Sequence, residues 1–160
     1  MALTAVQVAQ YGVAIKANIL ASPDLVGQQD TVIAGLYNAA ASPTFTVWKS
    51  EVTIRQTGQA FVGTEWAGMT SANHTRLQTV AQYLMAYNPS IQGIRDMFND
   101  IWSGAGGVNT RAALLVLWKR PALRIEKLLA TGTGSDAVPA TLGFEGTISA
   151  QNVSDILSQF

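Results

Sequence analysis

Residues 109–134 read NTRAALLVLWKRPALRIEKLLATGTG, and the fold turns on where this stretch stops being helix. Leu114, Leu115, Leu117 and Trp118 give its first half the apolar density of a packed helix. The helical pattern runs from about Asn109 to Ala130 but meets Pro121. Proline has no amide donor and clashes with the preceding turn, so the helix must kink or divide near Arg120. Thr131-Gly132-Thr133-Gly134-Ser135-Asp136 has the composition of a flexible linker. Beyond it Leu142, Phe144 and Ile148 fall on one face of an extended strand, and Ser149 caps a short helix with Val153, Ile156, Leu157 and Phe160 on one side. This reading divides the chain into a helical body, 1–130, and a C-terminal arm, 131–160, with Gly132 and Gly134 as its hinge.

Toward the N-terminus the same periodicity recurs. Thr4 caps a helix to about Leu20 with Val6, Ala9, Val13, Ala17 and Leu20 at helical spacing, stopped by Ser22-Pro23-Asp24. Asp30 caps a second helix carrying Ile33, Leu36, Tyr37 and Ala40, which Ser42-Pro43 ends. The pattern weakens from Thr44 to Met69, where Phe45, Val47 and Trp48 suit a short strand and the rest a longer structured excursion. Thr70 or Ser71 caps a helix to about Tyr87 with Leu77, Val80, Ala81, Leu84 and Met85 on it. After Asn88-Pro89-Ser90 another carries Ile91, Ile94, Phe98, Ile101 and Trp102 as far as the loop Gly104 to Gly107. The expected fold is mainly α: a bundle of about five helices with an extended C-terminal arm of linker, short strand and short helix. A lone strand needs a partner edge, from Phe45 to Ile54 of the same chain or from a neighbouring subunit.

Composition narrows what such a fold does. Of 160 residues only 12% are charged, 10 Lys and Arg against 10 Asp and Glu, while 48% are hydrophobic. An ordinary soluble domain carries roughly 25% charged residues, and few charges with no net charge protect poorly against self-association. The surface is therefore expected to be covered by neighbours. Zero net charge disfavours long-range attraction to a polyanion or a membrane surface. The absence of cysteine removes thiolate nucleophiles, disulfides and Cys-based metal sites. The longest apolar run, Ala112 to Trp118, falls far short of the ~20 residues of a membrane span, and the N-terminus carries no signal-peptide pattern.

Residues that carry chemistry are sparse. His74 is the single histidine, beside Asn73 and Thr75, and reads as a solvated or capping residue. Asp96 and Asp100 share a helix face at i and i+4, a spacing more often solvated than ligating. Gly132-Thr133-Gly134 lacks the following lysine of a phosphate loop. Trp48, Trp66, Trp102 and Trp118 read as core or interface anchors. No catalytic residue, cofactor or metal is expected, and the chain is read as a non-enzyme. One cluster stands out: Lys119, Arg120, Arg124 and Lys127. On a continuous helix the last three form a basic stripe that would face a polyanion or acids of a neighbouring subunit.

The run from Lys119 to Gly134, followed by Phe144-Glu145-Gly146-Thr147-Ile148-Ser149 and Asp155, resembles a family of small proteins from the virion-structure region of tailed bacteriophages. The family pattern is an Arg-x-Glu-Lys helix end, a Thr-Gly-Thr-Gly hinge, then Phe-Glu-Gly and a short closing helix. Val47-Trp48-Lys49 resembles a second landmark. The resemblance implies a virion component at the head-to-tail junction, an adaptor or connector in a homo-oligomeric ring with twelve as the candidate copy number, that contacts portal and other neck or tail proteins and packaged DNA. It also implies an arm whose Leu142, Phe144, Ile148, Val153, Ile156, Leu157 and Phe160 insert into a neighbour. The rival expectations are another virion part, such as a tail-completion or capsid-cementing protein, and a non-virion regulator that binds DNA or a host protein.

Overall fold

The structure, a computed structural model, describes residues 2–160. Its described residues form nine α-helices, one 3-10 turn and four strands of two or three residues, so the fold is mainly α. Local chemistry sets most helix starts. Helix α1 (Ala5–Ala21) opens with a reciprocal cap: Gln7 N donates to Thr4 Oγ1 at 3.3 Å and Thr4 N to Gln7 Oε1 at 2.9 Å. Thr70 caps α5 (Ser71–Tyr83) through Asn73 N at 3.3 Å. Ser149 and Asn152 cap α9 (Ala150–Gln159) reciprocally, each bond 3.1 Å. Helices α2 (Asp30–Asn38) and α6 (Gln92–Ile101) lie where the apolar spacing puts them. Pro121 divides the long segment as expected: α7 (Val108–Trp118) stops, β4 (Lys119–Pro121) follows, and α8 (Arg124–Leu129) restarts.

The weakly patterned middle holds β1 (Thr46–Trp48), β2 (Val52–Thr53) and two short helices, α3 (Ile54–Gln59) and α4 (Gly63–Ala67). β1 pairs with β4. β2 pairs antiparallel with β3 (Ala86–Tyr87), Val52 opposite Tyr87 and Thr53 opposite Ala86.

The chain's contacts divide it into two compact units, one built from the residues up to Val47 and from Pro121 to Phe160, the other from Trp48 to Arg120. This differs from the division into a body and a C-terminal arm, and the reason is packing. In the first unit α9 lies against α1 and α2. Its core joins Val8, Ile15 and Ile19 of α1, Ile33 and Tyr37 of α2, and Ile125 of α8 to Phe144, Ile148, Val153 and Ile156. The apolar face of the C-terminal segment is thus the missing wall of its own core.

The residues expected as a strand form no regular strand. Within Leu142 to Ile148, Thr147 makes an isolated bridge to Ala2, and just before that span Ala140 bridges Val47 and Thr141 bridges Thr131, all within the same chain. The hinge is likewise closed. Gly132 and Gly134 sit at φ of 123° and 65°, where other residues are strained, and Gly134 O accepts from Thr46 N at 2.7 Å. A side chain at Gly134 would run into the Phe45 ring, and one at Gly132 would press on Ala140. These glycines serve a fixed turn.

The second unit is centred on Val52, Leu77, Tyr87, Phe98, Ile101, Trp102, Leu114 and Trp118. Trp118 Nε1 donates to the Tyr87 hydroxyl at 2.9 Å, and that hydroxyl lies 2.6 Å from Thr57 Oγ1, so the buried polar atoms satisfy one another.

Candidate functional site

The basic cluster is the first candidate, and the fold takes it apart. Lys119 and Arg120 stand on β4, while Arg124 and Lys127 stand on α8, so the four do not share a helical stripe. Arg124 forks onto Asp24, Nη2 to Oδ1 at 3.0 Å and Nη1 to Oδ2, with its guanidinium 5.7 Å from the Tyr37 ring centre. The hydrogen bond from Arg124 holds the Asp24 carboxyl below its usual range and raises Arg124 further. Burial pushes the Tyr37 hydroxyl up to about 12. The Lys127 ammonium lies 5.7 Å from the Phe45 ring. Asp24, Arg124 and Lys127, with Asn18, Leu36 and Leu128, line a groove of about 490 Å³. The bidentate pair inside it leaves Arg124 with little charge to offer a phosphate.

The motif residues on α8 work inward. Glu126 is 2% exposed, and its carboxylate accepts from Leu123 N at 2.9 Å and from Gly146 N at 3.1 Å. The Arg-x-Glu-Lys and Phe-Glu-Gly segments are therefore two halves of one bracket that starts α8 and anchors the C-terminal segment. Other side chains fasten the same segment: Asn38 exchanges two 2.8 Å bonds with the Ile148 backbone, Tyr11 OH donates to Gly143 O at 2.6 Å, and Asn152 Nδ2 donates to Leu3 O at 3.1 Å.

Of the residues expected at an arm interface, Phe144, Ile148, Val153 and Ile156 are buried within the chain, and Leu142 and Leu157 are half-buried. Phe160 stays 42% exposed with its ring over Gly12, where a side chain would clash. Sequence reasoning recognised the amphipathic face but not its partner. A face that completes a core has the same spacing whichever chain supplies the rest.

In the second unit His74 presents an edge to Trp66, ring centres 4.7 Å apart, inside a cluster with Phe61 and Trp102. This is packing chemistry. Glu65, nearly buried, accepts from Asn109 N at 2.9 Å and Thr110 N at 2.8 Å at the start of α7. Burial raises its carboxyl, but the backbone and side-chain bonds from Asn109 and Thr110 outweigh it and leave the pKa below the ordinary value. Asp96 and Asp100, with Arg76, Thr75 and Thr79, line an open groove of about 630 Å³ between α5 and α6. Among the described residues no three His, Cys, Asp or Glu side chains gather to hold a metal ion, and no helix is long and apolar enough to cross a membrane.

What remains conspicuous is apolar surface. Helix α1 buries Val8, Gly12, Ile15 and Ile19, and turns Val6, Ala9, Val13, Ala17 and Leu20 outward. Val6 is 77%, Val13 66% and Leu20 59% exposed. Periodicity alone marks both faces, because both carry apolar residues at helical spacing and the helix has a single charge, Lys16. Helix α7 repeats the pattern. Thr110, Leu114 and Trp118 face in, and Val108, Ala112, Leu115 and Val116 face out. Its one charge, Arg111, turns back onto the carbonyls of Trp102 and Gly104.

Comparison with protein-family models, with curated proteins and with solved structures finds no match to this chain.

Proposed function

We propose that this chain is a non-enzymatic structural protein of a tailed-bacteriophage virion, a subunit of a ring-forming head-to-tail adaptor joining portal to tail. It assembles in the host cytoplasm and works against its own copies, the portal and other neck or tail proteins. The observation that carries the reading is the uncharged outer surface of α1 and of α7. Large apolar side chains left exposed in a row along a helix mark association surfaces. The resemblance over Lys119 to Gly134 and Phe144 to Ser149 gives the virion its place in the proposal.

In the assembled ring the outer face of α7 is the surface on which neighbours close. The C-terminal segment contributes by holding its own chain in shape. Releasing it takes Phe144, Ile148, Val153 and Ile156 out of their own core, at about 1.5–3 kcal/mol each until another surface covers them. Contact with packaged DNA is a minor part of this role, since Arg124 is already paired with Asp24.

Cryo-electron microscopy of particles tests the proposal. The expected result is density for this chain in a ring between portal and tail. Lattice positions on the capsid would replace the adaptor by a cementing protein, and absence from particles would overturn the virion role. Leu115→Glu with Val116→Glu is expected to stop incorporation without altering the melting of the isolated protein.

A further inference from the structure

We infer that the outer face of α1 pairs with the same face of a second copy, antiparallel, about a twofold axis at Val13. The inference stands on this helix alone and does not rest on the virion role. Val6 and Leu20 lie seven residues on either side of Val13, and Ala9 and Ala17 four residues on either side. The stripe thus reads large, small, large, small, large in both directions. A twofold interface must be complementary to itself, and antiparallel alignment of this stripe meets that condition. Val13 meets the partner's Val13, Ala9 the partner's Ala17, and Val6 the partner's Leu20. The alanine pairs allow the axes to approach toward the short end of the roughly 8–10 Å range of packed helices, which brings the larger side chains between them into contact.

On α1 itself no charge opposes the pairing. Lys16 is the one charge on α1, and its Nζ donates to Leu157 O at 3.0 Å, tied to its own chain beside the stripe. The antiparallel arrangement also sets the partly positive start of each helix beside the partly negative end of the other. Closing the face removes on the order of 1,000 Å² from water, the lower limit of a specific interface. The pair is therefore a concentration-dependent dimer. A lipid surface is the weaker occupant, because an interfacial helix carries a basic flank and α1 has a single lysine. The outer face of α7 in a second copy is weaker too, since Val108 to Val116 is shorter and lacks the symmetric spacing.

The absence of cysteine makes the test direct. Single-cysteine variants of the full chain are oxidised and read on a non-reducing gel. Val13→Cys is expected to give a disulfide-linked dimer, and an equimolar mixture of Val6→Cys and Leu20→Cys to give a mixed dimer. Val6→Cys alone and Leu20→Cys alone stay monomeric, because like positions lie about 21 Å apart along the axis. A Val13→Cys chain that stays monomeric overturns the inference, as does a Val6→Cys chain that cross-links to itself as well as Val13→Cys does. Linkage of Val13→Cys to Val116→Cys in preference to itself also overturns it and assigns the face to α7. In sedimentation equilibrium Val13→Glu is expected to weaken the dimer at least tenfold with an unchanged melting curve, Val13 being exposed in the monomer. A wild-type chain that remains monomeric at every concentration would sink the proposal.

Discussion

All four tryptophans, Trp48, Trp66, Trp102 and Trp118, belong to the unit that runs unbroken from Trp48 to Arg120, whereas the buried core of the other unit is aliphatic apart from Tyr37 and Phe144. The two also differ in how far the chain travels to close them. The unbroken unit joins neighbours such as Phe98, Trp102 and Trp118. The other draws α1 and α2 from one end and α9 from the opposite end, and a bond such as Asn152 to Leu3 spans 149 residues. Loop-closure entropy is met before such contacts give anything back. One unit should therefore stand without the chain ends, and the other should fail when either end is missing.

The strongest test of that contrast removes Thr133 to Phe160. The deletion takes Phe144, Ile148, Val153 and Ile156 from the core, at about 1.5–3 kcal/mol each, against a typical net stability of roughly 5–15 kcal/mol. Hydrogen exchange is expected to show α1 and α2 unprotected, while tryptophan emission remains that of a folded Trp48–Arg120 unit. Persistent protection of α1 would break the comparison. Next in size, Ile156→Ala should destabilise by about 2–5 kcal/mol. Melting followed by far-ultraviolet circular dichroism should gain an earlier phase that tryptophan emission does not follow. Coincident shifts of both probes would mean that the two units melt as one.

Tyr87→Phe addresses the other side of the contrast. It leaves Trp118 Nε1 and Thr57 Oγ1 without their shared hydroxyl, an expected loss of about 1–3 kcal/mol, read this time as an earlier tryptophan transition.

How much of this was legible follows from the range of each interaction. The caps at Thr4, Thr70 and Ser149 could be read because each is made within three residues. The division at Pro121 could be read because proline acts on its own turn. The inward face of α1 could not, since Val8, Ile15 and Ile19 and the stripe through Val13 are equally apolar. The partner of α9 could not either, because its spacing is the same for a core at the far end of the chain as for a neighbouring subunit. Gly132 and Gly134 misled in another way. Composition reads glycine as freedom, but positive φ and the close approach of Ala140 and Phe45 make it a requirement of shape. The basic stripe dissolved when β4 took Arg120 off the helix, and nothing local announces that Asp24 waits 100 residues away for Arg124.

Smaller effects sharpen the contrast with pH. Glu65 has a folded-state pKa below its ordinary 4.5, so its contribution is complete above that value and is lost as pH falls through the folded value. Acid titration should loosen the start of α7, and Glu65→Gln should flatten the acid limb of the tryptophan transition. An unchanged limb would remove Glu65 as its source. The smallest change is expected from Arg124→Ala. Its partner Asp24 is half-exposed and solvent screens the pair, so the melting temperature should move less than for any of the core substitutions.

The order in which the chain is made gives the discontinuous unit a second meaning. Helices α1 and α2 leave the ribosome well before α9, the wall they pack against, is synthesised. Between those moments Trp48 to Arg120 emerges as a continuous stretch able to fold, while α1 waits with both of its apolar faces uncovered. The nascent chain is thus at its most adhesive before α9 is made, and a folding helper or a second nascent copy would meet α1 before α9 does.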